Sequence, residues 1–419
     1  MLIINIFYLL SIIFSIQAIN NNNNTIIVLQ FQIAAALNLR KMLKYQSNNN
    51  SSKEENLINT YNTSSFINEN YIFQMVSPVK IGFLHKVIIA FINIQYDNLL
   101  LGELSEIQNI NKYDYFELKN KYNKLNNTII EDNLYLFKNY SENKYSIIPN
   151  LKFLLNNINE NNITSLIIGL TISDDANKTN FMKQIHDNHI ISSYIISFDY
   201  SNENEGILII GKFPHEYNSE RFSESDYKSF YSYQPRTMYL TNFVINFDEI
   251  FSFSNNEKYF FQKITKGNLI LNSGLIIGTN EYMQFILNHF FNEHIKNNLC
   301  VLSSYDSDLK NYFIFYCYDN QNLTLDKFPT LNFRIKSENI TFQFTHKDLF
   351  IKIENKYYFL IIFEKFITGF WRFGKPFFLK YTFVYNGDTK TIGFYLKKNI
   401  NVMDGKNNNN KSEEKKMEI

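Results

Sequence analysis

Short apolar runs separated by polar turns recur along this chain. They are Val87–Ile94, Leu166–Leu170, Tyr194–Phe198, Ile207–Ile210, Tyr239–Phe247, Leu269–Leu271, Tyr312–Tyr316, Thr341–Phe344 and Tyr357–Phe363. Each is rich in Ile, Phe or Tyr and is bounded by Asn, Ser, Asp or Gly, which is the pattern of strands. Helical spacing is confined to two segments. Asn280–Lys296 aligns Tyr282, Phe285, Ile286 and His289 on one stripe behind a Thr279 or Asn280 cap, and Phe181–His189 is a shorter candidate. Two isolated helices do not make alternating βαβ units, so the pattern predicts an all-β protein.

The two ends of the chain read differently. Met1–Ala18 is an apolar stretch closed by a small residue and resembles a secretory signal peptide, although it lacks an early Lys or Arg. An uncleaved anchor is the competing reading of the same stretch. Thr25–Lys44 holds an apolar stretch ending in basic residues, and Gln46–Asn70 is a polar, linker-like segment. Ordered structure is therefore expected to begin near Tyr71. The tail Lys406–Ile419 is polar and carries no lipid-anchor signal.

Composition narrows the classes. The chain has 419 residues, long enough for two domains or one large two-lobed domain. Hydrophobic residues at 45% and charged residues at 19% give a globular balance. A formal net charge of +1 leaves no basic excess for a nucleic-acid face. Runs at Asn20–Asn24, Asn48–Asn50 and Asn407–Asn410 belong to loops and tails. The two cysteines, Cys300 and Cys317, read as one disulfide in a secreted chain, with buried thiols as the alternative. Sequons stand at Asn62, Asn126, Asn139, Asn162, Asn177, Asn322 and Asn339, a number that an Asn-rich chain also produces by chance.

One tripeptide carries candidate chemistry. Asn272-Ser273-Gly274 follows the apolar Leu269-Ile270-Leu271, and near the C-terminus Trp371-Arg372-Phe373-Gly374-Lys375-Pro376-Phe377-Phe378-Leu379-Lys380-Tyr381 leads to Ile392-Gly393-Phe394. Upstream, Val79-Lys80-Ile81-Gly82 precedes Asn93-Ile94-Gln95, then Asn98-Leu99-Leu100-Leu101, Ile167-Ile168-Gly169-Leu170 and Gly206–Gly211. This ordered series, covering roughly residues 71–398, resembles the pepsin-like aspartic peptidase family. Arg372 departs from that pattern, which has an apolar residue there. No equivalent of the family's Gly-rich flap is recognisable, since no Gly lies between Gly102 and Gly169; Tyr135 and Tyr140 are the candidate flap tyrosines.

The resemblance implies a bilobal, mostly β fold with a cleft between two related lobes. It matches Asn93 and Asn272 to the two catalytic aspartates, with Ile94, Gln95, Ser273, Gly274, Gly169 and Gly374 as motif neighbours. In that family two facing carboxylates share one proton; one activates water and the other protonates the scissile carbonyl. A carboxamide keeps the hydrogen-bonding shape but has no useful basicity. The substitutions thus imply a secreted homologue that has lost cleavage and still binds extended peptides or protein substrates.

The alternatives are an active aspartic endopeptidase working at acidic pH and a structural secreted glycoprotein. Asp97 and Asp174-Asp175 read as turn or loop residues rather than replacement acids. Asn272-Ser273 is a sequence type open to deamidation, which would restore Asp at that position. His186, His189, His289, Glu293 and His294 lack the spacing of a metal site, so no metal and no cofactor is expected. No P-loop, dinucleotide fingerprint or nucleophile elbow occurs. The expected organisation is 1–18 signal peptide, 19–70 polar prosegment-like region, 71–225 N-terminal lobe, 226–400 C-terminal lobe and 401–419 polar tail. A monomer in the secretory route, extracellular or vacuolar/lysosomal, is expected, with membrane attachment only through an uncleaved N-terminal anchor.

Overall fold

The structure is a computed structural model, and it describes residues 26–35, 66–67, 73–84, 87–93, 98–102, 128–139, 144–155, 163, 165–172, 179–231, 243–254, 257–306, 311–364 and 370–396. The proposed signal peptide, the polar tail, Asp97, Asp174, Asp175 and Tyr140 lie outside these residues.

Numbered in chain order, the first strands are β1 (Ile27–Ala35), β2 (Phe73–Ile81), β3 (Val87–Asn93), β4 (Leu99–Gly102), β5 (Thr128–Asn139) and β6 (Lys144–Leu155). They are followed by β7 (Ser165–Gly169), β8 (Ile195–Tyr200), β9 (Glu205–Ile210), β10 (Tyr227–Tyr231), β11 (Val244–Ser254) and β12 (Glu257–Leu269). Next come β13 (Ile276–Gly278), β14 (Cys300–Asp306), β15 (Asn311–Tyr318), β16 (Thr330–Ile335), β17 (Ile340–Phe344) and β18 (Phe350–Ile353). The last are β19 (Lys356–Phe359), β20 (Ile361–Glu364), β21 (Phe370–Phe373), β22 (Tyr381–Asn386) and β23 (Thr391–Leu396). The all-β expectation holds: strands dominate the described residues, and the helices are short.

The strands form two sheets. One runs β10-β23-β22-β8-β9-β1-β2-β3-β7-β4-β6-β5, and the other runs β17-β16-β11-β12-β21-β13-β20-β15-β19-β18 with β14 added on β15. Within each sheet the same six-strand pattern appears. In β2-β3-β7-β4-β6-β5 the successive pairings are antiparallel, parallel, antiparallel, parallel and antiparallel. In β11-β12-β21-β13-β20-β15 they follow the identical order. The same six-strand unit thus occurs twice, once in each sheet.

The duplication does not partition the chain cleanly in two. β22 and β23 come from the far end of the chain, yet they pair with β8 and β10 in the first sheet. The expected lobe 226–400 is thus not self-contained. Apolar residues from both sheets, among them Leu29, Ile92, Leu166, Phe198, Leu269, Trp371 and Phe383, join in one continuous core. Burial of apolar surface on this scale is the dominant favourable term.

Two expectations about the N-terminal region need correction. Ordered structure begins well before Tyr71, because β1 lies between β9 and β2. Its alternating Ile27, Leu29 and Phe31 are buried, a period of two inside what reads as a merely apolar stretch. Phe66 and Ile67, inside the polar 19–70 region, are also fully buried.

The helices follow their caps. Helix α1 (Phe181–Asp187) is capped by Asn180, whose side chain accepts from the Lys183 N–H at 2.8 Å. Helix α2 (Asn280–Ile286) is capped by Thr279 and buries Tyr282, Met283, Phe285 and Ile286. A π-turn over Leu287–Phe291 separates it from α3 (Asn292–Lys296). That turn leaves His289 exposed rather than on the buried stripe, with its ring stacked on Phe285 at 4.2 Å. Helix α4 (Lys375–Lys380) follows Gly374 directly.

Cys300 and Cys317 face each other across β14 and β15 and are joined by a disulfide. Among the sequons, Asn322 and Asn339 are described and exposed.

Candidate functional site

The duplicated element positions the site. In the first lobe β7 lies between β3 and β4, so the chain leaving β3 must cross the end of β7 to reach β4. The described residues on either side of that crossing are both tied to the end of β7. The Leu170 N–H donates to the Asn93 carbonyl at 3.0 Å, and the Gly169 N–H donates to the Asn98 carbonyl at 3.0 Å. Asn98 is buried, and its side-chain oxygen accepts from the Thr179 hydroxyl at 2.8 Å. Ile94 and Gln95, within the crossing, lie outside the described residues.

In the second lobe β21 lies between β12 and β13, and the crossing is fully described. The Ile270 N–H donates to the Phe373 carbonyl at 2.8 Å, and the Lys375 N–H donates to the Ser273 carbonyl at 2.6 Å. Ser273 is buried; its hydroxyl donates to the Leu275 carbonyl at 3.0 Å and accepts from the Leu275 N–H at 3.3 Å. Its role is thus to shape the turn that presents Asn272, which is half-buried.

Gly374 is required by the crossing itself. A Cβ there would fall 2.3 Å from the Leu275 carbonyl oxygen and 2.5 Å from that of Ser273. Only a residue without a side chain lets the crossing chain pass so close. Gly169 occupies the matching end of β7 and is buried.

One side chain ties the two elements together. Tyr200, fully buried at the end of β8, donates its hydroxyl to the Leu271 carbonyl at 2.7 Å. The same oxygen lies 3.7 Å from Sδ of Met75, the residue paired with Ile92. The residue before Asn272 and the strand pair before Asn93 thus meet around one phenol. Burial holds the Tyr200 phenol far above its ordinary pKa, so it stays a donor.

The ladders also show which positions correspond. Ile168, just before Gly169, pairs with Ile92; Phe373, just before Gly374, pairs with Leu269. On the other side Leu100 pairs with Ile167, and Ile277 pairs with Arg372. The stretches from Ile92 to Leu100 and from Leu269 to Ile277 are equally long. In this register Asn93 matches Ile270, and the residue matching Asn272 is Gln95. Both Asn93 and Gln95 are carboxamides, so the first-lobe position lacks an acid in either register.

Two charged residues border the second crossing. Arg372 donates to the Glu364 carboxylate at 2.9 Å, and Glu364 is almost wholly buried. Lys375 is buried too; its Nζ donates to the Glu203 carbonyl at 3.1 Å, and desolvation lowers its pKa. Sequence reasoning singled out Arg372 but missed Glu364, Lys375 and Tyr200. Only an apolar run interrupted by a charge marks Glu364 and Lys375, and nothing in the sequence distinguishes Tyr200 from the other tyrosines.

Among the described residues no cluster of His, Cys, Asp or Glu has the makings of a metal site. His186 stacks on Tyr194 at 4.4 Å instead. Tyr135 lies on β5, opposite Ile147 of β6 and Lys80 of β2, with the Lys80 ammonium 5.7 Å from its ring. No known protein-family model and no curated protein matches this chain.

Proposed function

We propose that this chain is a secreted, catalytically inactive relative of the pepsin-like aspartic peptidases that binds extended peptides between its two related lobes. The observation that carries this reading is the duplicated strand-crossing-strand element with a carboxamide at each crossing. In the family that the sequence resembles, those crossings hold the paired acids. Here Asn272 stands in one, and Asn93 or Gln95 in the other. An amide there can hydrogen-bond a peptide carbonyl but cannot take a proton from water. The sheet edges and apolar faces of such a fold suit an extended chain, which adds backbone hydrogen bonds to a strand.

Two measurements test this. Cleavage of denatured protein at acidic pH is assayed for the wild type, Asn93→Asp/Asn272→Asp and Gln95→Asp/Asn272→Asp, with and without a pepsin-type transition-state inhibitor. Binding of unrelated fluorescent peptides to the wild type is followed by anisotropy. The expected result is no inhibitor-sensitive cleavage by the wild type together with saturable peptide binding. Inhibitor-sensitive cleavage by the wild type would mean an active peptidase; no binding of any peptide would leave a structural glycoprotein.

A further inference from the structure

The far end of the β11–β12 hairpin leaves large apolar side chains in water. Phe253 is 43% and Phe260 60% exposed, the latter the most exposed large apolar side chain among the described residues. The register sets Phe260 opposite Phe251 and Lys258 opposite Phe253, so all four share one face. The Phe251 ring centroid lies 5.6 Å from that of Phe253 and 6.2 Å from that of Phe260. Lys258 sits over two of these rings, its Nζ 3.9 Å from the Phe251 centroid and 4.4 Å from that of Phe260. The opposite face is taken: Ile250 belongs to the main core, and Tyr259 and Phe261 pack against Phe285 of α2. Among the described strands the outer half of β12 pairs with β11 alone, because β21 joins it only at Lys266–Leu269.

The same face is basic. It continues onto β16, where Asn332 pairs with Phe251 and Arg334 with Glu249. The Lys336 ammonium lies 2.7 Å from the Glu249 carboxylate and the Arg334 guanidinium 3.9 Å from it. Among the described residues, Lys258, Arg334 and Lys336 thus share this face with the carboxylate of Glu249. Glu257 lies on the other face, where Tyr259 donates to it, and Asp248 accepts from the Lys336 N–H at 2.6 Å.

We propose that this face docks on an anionic lipid bilayer, with Phe253 and Phe260 entering the headgroup layer and Lys258, Arg334 and Lys336 held at its phosphates. The proposal is independent of the peptide-binding reading. A stable protein interface buries about 1,200 Å² or more, whereas two fully buried phenylalanines supply only about 300–500 Å². A fluid headgroup layer asks for no shape complement, and binding there follows buried apolar area plus attraction to anionic lipid. A lysine mounted on aromatic rings suits that boundary, because its stem lies on apolar surface while its head reaches a lipid phosphate. The excess of cations over carboxylates on this face is drawn by the negative surface potential, which falls off within a Debye length.

The test places a fluorescent reporter at the patch in the full chain. Phe260→Trp keeps an aromatic ring beside Lys258, and Trp371, the one native tryptophan, is fully buried and gives a constant background. Emission is followed with vesicles of phosphatidylcholine alone and of phosphatidylcholine mixed with phosphatidylserine, each also prepared with brominated acyl chains. A blue shift and bromine quenching are expected with the anionic vesicles, weakening as salt is raised. Adding Lys258→Gln is expected to raise the lipid needed for half the response about fivefold, and adding Phe253→Ser roughly as much. An unquenched reporter overturns the proposal even if the chain reaches the vesicles through its N-terminus. So does an equal response to neutral and anionic vesicles. An emission shift with soluble polyglutamate but no bromine quenching would assign the face to an acidic protein and overturn the lipid proposal.

Discussion

Gly374 and Arg372 sit two positions apart on the same strand end, and they respond to substitution for opposite reasons. A Cβ at Gly374 meets two carbonyl oxygens that cannot swing aside, because their chain is held by the Ser273 and Lys375 hydrogen bonds. Gly374→Ala is expected to destabilise the fold by about 3 kcal/mol, at the upper end of overpacking costs, read as a shift in the urea midpoint. Arg372 instead neutralises a carboxylate that water barely reaches. Arg372→Met alone should cost about 3–5 kcal/mol, whereas Arg372→Met/Glu364→Leu should be near neutral, because the buried charge leaves with its partner. Equal losses in the single and double variants would show that the pair is solvated. Arg372 was legible in the sequence as a departure from an apolar pattern. Glu364 was not, since its importance comes from burial beside Arg372.

At the scale of elements, short apolar runs located several of the strands within a residue or two. Val87–Ile94 became β3, Ile207–Ile210 became β9, and Tyr357–Phe363 became β19 and β20. Phe181 likewise marked a helix start, and Thr279, one of two candidate caps, caps α2, because capping is a local hydrogen-bond problem. What alternation does not carry is which strands become neighbours. The insertion of β7 between β3 and β4 fixes the first crossing, through rungs that pair Ile92 with Ile168 and Leu100 with Ile167. The disulfide is an element-scale staple: Cys300 and Cys317 close the β14–β15 hairpin at a separation of 17 residues. Cys300→Ala/Cys317→Ala is expected to lose about 3 kcal/mol on the chain-entropy model, measured by chemical denaturation. An unchanged midpoint would mean that the hairpin is already ordered in the unfolded chain.

For the whole molecule, the first sheet is completed from both ends of the chain. β1 near the start and β22–β23 near the end enclose β8 and β9, and Thr382 donates to the buried Asp199, which also pairs with Arg221 at 2.6 Å. This shared interior buries many phenols. Burial pushes Tyr227 and Tyr385 up to about 12, and raises Tyr200 and Tyr282 further. In the unfolded chain a tyrosine ionises near pH ~10. Their neutral forms therefore favour the fold fully below that pH, and this stability is lost as pH rises toward the raised folded values. Phenolate absorbance of these buried tyrosines is expected to appear together with the loss of near-UV circular dichroism above about pH 10. Full ionisation near that pH with tertiary structure intact would contradict it.

The sequence by itself determined the strand class, a cap for α2, the candidate amide at Asn272 and the glycine at the second crossing. Those depend on local periodicity, backbone freedom and side-chain chemistry, all of which are written residue by residue. Tertiary structure decided the placement of Ile27–Ala35 in the sheet centre, the pairing of Arg372 with Glu364, and the seating of Phe66–Ile67 beside Leu275. Each of these joins residues far apart in the chain or on different strands. Their energetics exist only once the sheets have closed around them.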